Sequence, residues 1–268
     1  MGRSATAQPG PAPSGLGSAP PLSVVIPVRD EARHLPRLLA QLQAAPQLVR
    51  EVLVVDGGSV DGSQQITSLA GARLLRGGGG RGRQLALGAQ QVEAPWLLLL
   101  HGDAELPTGW AGRLQRAIDT GSGAWYFELA IAGRRPALRL VEWAVQLRSC
   151  WRQQPYGDQG LLLPRQLLQA VGGVRPLPLM EDLDLVLRLG QRTRLRSLGL
   201  PLQVSERRWR QLGIWRTALR NLRLRRAWRR GVSAELLACF YYGSSGPQAA
   251  YQKTQRRCSG SICQPWPS

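Results

Sequence analysis

Three short apolar runs, Leu22–Pro27 (LSVVIP), Glu51–Asp56 (EVLVVD) and Trp96–Leu100 (WLLLL), each break off beside acidic residues, and this recurrence narrows what the chain can fold into. Runs this short fall well below the ~20 residues that span a bilayer. They read as buried strands of a parallel sheet. Periodicity alone leaves a helix open for any one of them, but the stretches between them repeat at helical spacing. Leu35, Leu38, Leu39 and Leu42 share a face, Asp61 can cap a helix through about Ala70, and a glycine-rich loop (Gly77–Gly80) leads into a helix through Val92. A short strand at Ala72–Leu75 and a helix to about Asp119, with Pro107 and Thr108 at its start, complete the first half. Strands alternating with helices imply an α/β fold with a predominantly parallel, Rossmann-like sheet flanked by helices.

In the second half, residues 125–131 (WYFELAI) suggest an antiparallel strand joining the sheet. A helix follows at Leu138–Trp151, then a tight turn Tyr156-Gly157-Asp158-Gln159-Gly160, a short strand and a helix from Pro164. Residues 181–190 read as a helix and 194–205 as two short strands. Four units emerge: a disordered leader at 1–21, an α/β domain at 22–206, a basic helical extension at 207–242 and a flexible tail at 243–268. The leader is rich in Pro, Gly, Ala and Ser and lacks the apolar core of a signal peptide.

Composition matters chiefly through charge. Lysine and arginine total 35 against 17 acidic residues, a net +18, and the only lysine is Lys253. Such an excess calls for an anionic partner: nucleic acid, a membrane surface or a phosphorylated small molecule. Arginine suits bidentate phosphate binding. With 43% hydrophobic residues the chain has ample material for a core. Its four cysteines, Cys150, Cys239, Cys258 and Cys263, show no zinc-type pairing, and the first two stand in apolar sequence, so reduced thiols in a cytoplasmic protein are expected.

The acidic residues are placed for chemistry. Ligands of open α/β sheets gather beyond the carboxyl ends of the strands. There the first strand ends in Arg29-Asp30-Glu31, the second in Asp56-Gly57-Gly58, and the third run in His101-Gly102-Asp103-Ala104-Glu105. Asp56 at its strand end is read as a ligand contact, a turn role being the alternative, and Asp61 as a cap. His101, Asp103 and Glu105 can hold a divalent cation beside an anionic ligand. Arg83, behind the glycine loop, can face a diphosphate or lie in solvent, because the loop has neither the Walker Lys-Ser/Thr nor the Rossmann glycine spacing. Asp158 and Gln159 sit between two glycines. Glu181 and Asp182 open a helix, where they serve either the macrodipole or as a general base.

Taken together, SVVIPVRDE, VVDGGSVDGS, LLLLHGDAE, GDQG and MEDLDL resemble, in order and spacing, the family 2-like inverting glycosyltransferases of the GT-A fold, over roughly residues 22–210. The resemblance implies a nucleotide-diphosphate-sugar donor (UDP- or GDP-sugar) held by Glu31 and Asp56. It implies a divalent cation, Mg²⁺ or Mn²⁺, at the Asp-x-Asp position. That position is His101-Gly102-Asp103 here, with Asp103 as the main ligand, Glu105 as a helper and His101 as the departure from the pattern. It further implies Asp182 as base with Glu181 beside it, Asp158 and Gln159 at the sugar or acceptor pocket, and Arg207 and Arg208 on the diphosphate. The histidine variant is similar to a bacterial branch associated with arsenosugar formation, and neighbouring branches are linked to carotenoid-acid glycosylation. The acceptor is then a small molecule or a lipid offering a hydroxyl or carboxyl.

Between Arg207 and Arg230 lie ten arginines, and Leu212, Trp215, Leu219 and Leu222 fall at helical spacing among them. Such a helix either lies on an anionic membrane surface, peripheral to the inner face of the plasma membrane, or packs its apolar stripe on the domain. Two rival functions share parts of this pattern. A nucleic-acid-binding protein accounts for the Arg/Trp segment but not for carboxylates at strand ends. A nucleotidyltransferase typically carries a glycine-rich basic loop after the first strand, where this chain has Val28-Arg29-Asp30-Glu31.

Overall fold

The computed structural model describes residues 19–242, apart from the side chain of Arg208. Expectations for the leader before residue 19, the tail from 243, Cys258 and Cys263 lie outside the described residues. The chain alternates β1 (Leu22–Val28), α1 (Leu35–Gln43), β2 (Val49–Asp56), α2 (Ser63–Leu69), β3 (Arg73–Arg76), α3 (Arg81–Gln91), β4 (Trp96–Leu99) and α4 (Trp110–Asp119). It continues with β5 (Ala124–Ile131), α5 (Pro136–Arg152), a 3₁₀ turn (Gly157–Gln159), β6 (Leu161–Pro164), α6 (Arg165–Ala170), α7 (Glu181–Gly190) and β7 (Leu195–Val204). Three helices close the described chain: α8 (Arg207–Leu212), α9 (Ile214–Arg229) and α10 (Ala234–Tyr242).

Seven strands form one sheet in the order β3-β2-β1-β4-β6-β5-β7. Its period-2 alternation splits the core into two layers. Val24, Ile26 and Val28 face α1 and α4, meeting Leu35, Leu38, Leu39, Leu42 and Leu114. Val25, Leu97 and Leu99 face the other side, meeting Leu85 of α3 and Leu185, Val186 and Leu189 of α7. Each leucine buried from α1 contributes roughly 1.5–3 kcal/mol, so the 3.6-residue stripe read from sequence is the face that docks.

Two strand expectations are corrected. The reversed strand is β6, antiparallel to both β4 and β5, whereas β5 is parallel to β7 and so runs with the β1–β4 group. The tight turn at Gly157–Gly160 sends β6 back beside β4, which no side-chain pattern announces. Residues 194–205 form one ten-residue strand instead of two. Gly199, with φ at +66°, absorbs a register shift against β5 within it. Cys150 and Cys239 are free thiols, and both are exposed, not enclosed in apolar surroundings. Among the described residues no helix is long and apolar enough to cross a membrane.

Candidate functional site

The carboxyl ends of β1 and β4 open onto a cavity of about 600 Å³, walled by Glu31, Arg81, His101, Asp103, Glu181 and Arg207 among others. A larger neighbouring space, about 1020 Å³, shares Asp103 and Arg207 with it. The two loops at the floor brace each other. Asp30 donates its N–H to Ser59 Oγ (2.9 Å), Glu31 donates to Ser63 Oγ (3.0 Å) and Ala32 to Asp61 Oδ2 (2.8 Å). Asp61 also accepts from the Ser63 N–H (3.1 Å), although Gly62 is the formal N-cap of α2. Asp30 (φ 56°) and Met180 (φ 68°) hold left-handed backbone that costs a non-glycine residue energy, and they precede Glu31 and Glu181 respectively.

Asp56 takes the turn role, contrary to the ligand reading. Only 2% exposed, it accepts from the N–H groups of Gly58 (3.0 Å) and Ser59 (3.1 Å) and from Gln64 Nε2 (2.8 Å). A carboxylate at the first position of a glycine turn satisfies the turn's own amides before any ligand. Glu31 faces the cavity, accepting from Arg207 Nη2 at 2.7 Å with His34 Nδ1 at 3.2 Å. Its pKa is raised above the ordinary 4.5, first by desolvation and then by the charge of Asp103, while Arg207 and His34 oppose the shift. Asp103 and Glu31 therefore share one electrostatic neighbourhood.

The His101–Asp103–Glu105 trio is split. Glu105 pairs with Arg37 at 2.6 Å and its backbone bridges to Gln203. His101 Nε2 stands 3.2 Å from Arg81 Nη1; a guanidinium only donates, so that nitrogen accepts and the ring proton belongs on Nδ1. Glu105 and His101 have thus each found a cation of the protein's own. Among the described residues no three His, Cys, Asp or Glu side chains converge on one point. Of the trio, Asp103 is the carboxylate that lines both cavities. One carboxylate fits a hard cation that completes its shell with substrate phosphates and water.

The richest chemistry lies at the start of α7. Glu181 is 2% exposed and ion-paired by Arg81 Nε. Burial lifts its pKa above 4.5, with Arg81 offsetting part of the rise. Burial also works against the Arg81 charge, but Glu181 and Asp182 outweigh it and hold the guanidinium protonated. Asp182 is the accessible member of the pair. It accepts from the Gly157 N–H (3.0 Å) and lies 3.4 Å from Arg81 Nη2, at the wall of a small cavity lined also by Tyr156, Asp158, Asn221 and Arg225. Two glycines permit this crowding. A Cβ at Gly82 would sit 2.2 Å from the Leu177 carbonyl oxygen, and one at Gly157 would sit 2.8 Å from His101 Nε2.

Arg81, not Arg83, lines the cavities. Arg83 is exposed, on the solvent side of the first turn of α3. Arg81, Leu85, Gly88 and Val92 share the inward helical face, a spacing legible in the sequence. Gln159 is also corrected. It is fully buried, accepting at Oε1 from Ser149 Oγ (3.0 Å) and the Tyr156 N–H (3.1 Å) and donating to the Phe127 carbonyl (3.1 Å). It fastens the 3₁₀ turn, leaving Asp158 to face the cavities. The missed wall residues Asn221, Arg225 and Tyr241 come from α9 and α10, whose return over the site no local pattern predicts.

Residues 23–137 match the model of Glycosyl transferase family 2. No match was found among curated proteins. Among solved structures, the chain is similar to glucosyl-3-phosphoglycerate synthase from Mycobacterium tuberculosis in complex with Mn²⁺, UDP and glucosyl-3-phosphoglycerate. Identity is 19% and the TM-score 0.51, covering 81% of this chain and 85% of that one. Mannosyl-3-phosphoglycerate synthase from Rubrobacter xylanophilus matches at 18% identity and TM-score 0.53, over 78% and 74%. S. aureus TarS 1–349 in complex with UDP-GlcNAc matches at 16% and 0.54, over 69% and 58%. The chain spans less than two thirds of some matched proteins, 58% of that TarS fragment and 64% of a mycobacterial protein. These likenesses establish the GT-A type of α/β fold. The family match, over residues 23–137 of the 268, makes the chain similar to glycosyltransferases in its first half.

Proposed function

We propose that the protein moves a hexose-type sugar from a nucleotide-diphosphate-sugar, a UDP- or GDP-sugar, to a hydroxyl or carboxyl acceptor with inversion at the anomeric carbon. The observation that carries this reading is the unequal pair at the start of α7. Glu181 is buried on Arg81, while Asp182 lines a cavity beside the larger cleft that holds Asp103. Asp182 is suited to take the acceptor proton as the acceptor oxygen attacks the anomeric carbon, and the nucleoside diphosphate leaves from the opposite face. Arg81 and Arg207 supply positive charge where the leaving diphosphate gathers negative charge.

A divalent cation, Mg²⁺ or Mn²⁺, would be held by Asp103; when bound it neutralises the diphosphate as a Lewis acid. Support for a nucleotide-sugar donor comes from the UDP and UDP-GlcNAc named with the similar structures. Glu31 is the donor contact we favour over Asp56. Residues 22–206 form the transferase unit in this reading, and 207–242 are an extension that walls the base side. Free Cys150 and Cys239 suit a reducing, cytoplasmic setting. The resemblance at His101 makes arsenic-containing small molecules and carotenoid acids the first acceptors to try.

Release of nucleoside diphosphate across a donor panel, with and without metal, is the direct test. Asp182→Asn is expected to lower turnover by about 10²–10⁴-fold while donor-induced thermal stabilisation persists. Near-native turnover in that variant would remove Asp182 as base. Asp103→Asn is expected to abolish the metal-dependent part of turnover, and an unchanged metal response would place the cation elsewhere.

A further inference from the structure

The basic extension does not bury the stripe its sequence advertises. On α9 the side chains turned to the protein are Ile214, Thr217 and Leu224, while Trp215 is 62% exposed, Leu219 47% and Leu222 37%. At about 100° per residue these two sets occupy opposite sides of the helix. Exposed Arg216, Arg223, Arg226, Arg229 and Arg230 surround the apolar stripe. A second stripe lies on α5, which packs beside α9. There Leu138, Val141 and Ser149 face inward, and Leu140, Trp143 (62% exposed) and Trp151 (79% exposed) face out on the opposite side. Arg225 of α9 and Arg148 of α5 both stack on the Tyr156 ring, at 5.3 and 3.7 Å, joining the two helices at one end.

We infer that these exposed faces of α5 and α9 form a docking surface for an anionic phospholipid bilayer. Tryptophan and leucine at helical spacing, ringed by arginine, match the headgroup boundary, where apolar side chains enter the acyl region and guanidinium groups meet lipid phosphates. A second copy of the chain would set arginine against arginine. The chain's own flanking segments, residues 1–21 and 243–268, contain no acidic residue to neutralise this face. The inference stands independently of the transfer reaction, but it has a consequence for it. The inner face of α9 supplies Asn221, Leu224 and Arg225 to the cavity with Asp182. Lipid surface and acceptor-side wall are then two faces of one helix, about 10 Å apart.

Flotation of the full-length protein with phosphatidylcholine vesicles, and with vesicles also containing phosphatidylglycerol, tests this. Binding is expected to the anionic vesicles, to weaken with salt, and to be at least about tenfold weaker in the Trp143→Ser/Trp215→Ser/Leu219→Ser variant. Nucleoside diphosphate release in solution should stay unchanged, showing that the variant is folded. The inference is overturned if the parent protein does not float with anionic vesicles or if the triple variant floats equally well. It is also overturned if the same three substitutions instead dissociate a dimer in sedimentation, or abolish binding to a labelled oligonucleotide while vesicle binding is absent.

Discussion

At the residue scale, Arg81 holds together more of the site than any other side chain. Its guanidinium reaches Glu181, Asp182 and His101 at once. Replacing it by methionine keeps most of the volume but strands Glu181, which is nearly solvent-free. Removing one partner of a buried pair costs about 3–5 kcal/mol; because Arg81 is partly exposed, roughly 3 kcal/mol is expected for Arg81→Met in urea denaturation. The pH dependence has a definite sign. Glu181 already has a folded-state pKa above 4.5, so the native state binds that proton more tightly than the unfolded chain. Stability from this group therefore falls as pH rises above 4.5 through the folded value. Without Arg81 the upward shift grows. The deficit of Arg81→Met against the parent should be largest at neutral and higher pH and narrow toward pH 4.5. A deficit that is flat across that range would mean Glu181 is not the stranded charge.

Among the elements, the 3₁₀ turn Gly157–Gln159 sets the position of the proposed base, because its first N–H binds Asp182 Oδ2. Gln159 fixes the turn through β5 and α5. Gln159→Leu leaves the Ser149 hydroxyl, the Tyr156 N–H and the Phe127 carbonyl without their partner. At about 1–3 kcal/mol per buried unsatisfied group, partly relieved by rearrangement, the expected loss is about 2–5 kcal/mol, read as a lowered urea midpoint. Turnover should fall with it even under conditions where the fold persists, and an unaltered urea midpoint would show that the turn is held by other contacts. This role was hidden in the sequence, where a glutamine between glycines looks like a ligand contact, because its partners lie 10 and 32 residues away. What local spacing determines was readable: the strands that end at acids, the α1 stripe, and Glu181-Asp182 at a helix start. What depends on tertiary return was not, namely the reversed β6, the single bent β7 and the arrival of α9 over the site. The outward stripe of α5 is illegible in the sequence for a related reason. A helix apolar on two sides reads as one buried all round, and only the sheet's extent shows which side is left uncovered.

For the whole molecule, a net charge of +18 is compatible with several anionic partners, and what separates them is where the acids lie. Glu31, Asp103, Glu181 and Asp182 gather around the cleft, so a bare polyanion entering there meets carboxylates, whereas a nucleotide bound with a cation does not. Exposed arginines of α9 face the other way. A ligand that binds only the folded state stabilises it by RT ln(1 + [L]/Kd), about 2.7 kcal/mol at a hundredfold excess over Kd. For a unit of this size each kcal/mol moves Tm by roughly 2–4 °C, so a matching UDP- or GDP-sugar with Mn²⁺ should raise Tm by about 5–10 °C. Chelating the metal should remove most of that gain, because the diphosphate then faces Asp103 and Glu31 unscreened. Asp103→Asn should behave like the chelated protein in the presence of metal. Stabilisation by oligonucleotides in place of nucleotide-sugars, and sensitive to salt but not to chelation, would instead assign the charge to nucleic acid. The two outcomes differ in their dependence on the cation, and under the proposed assignment that dependence acts through the Asp103 carboxylate.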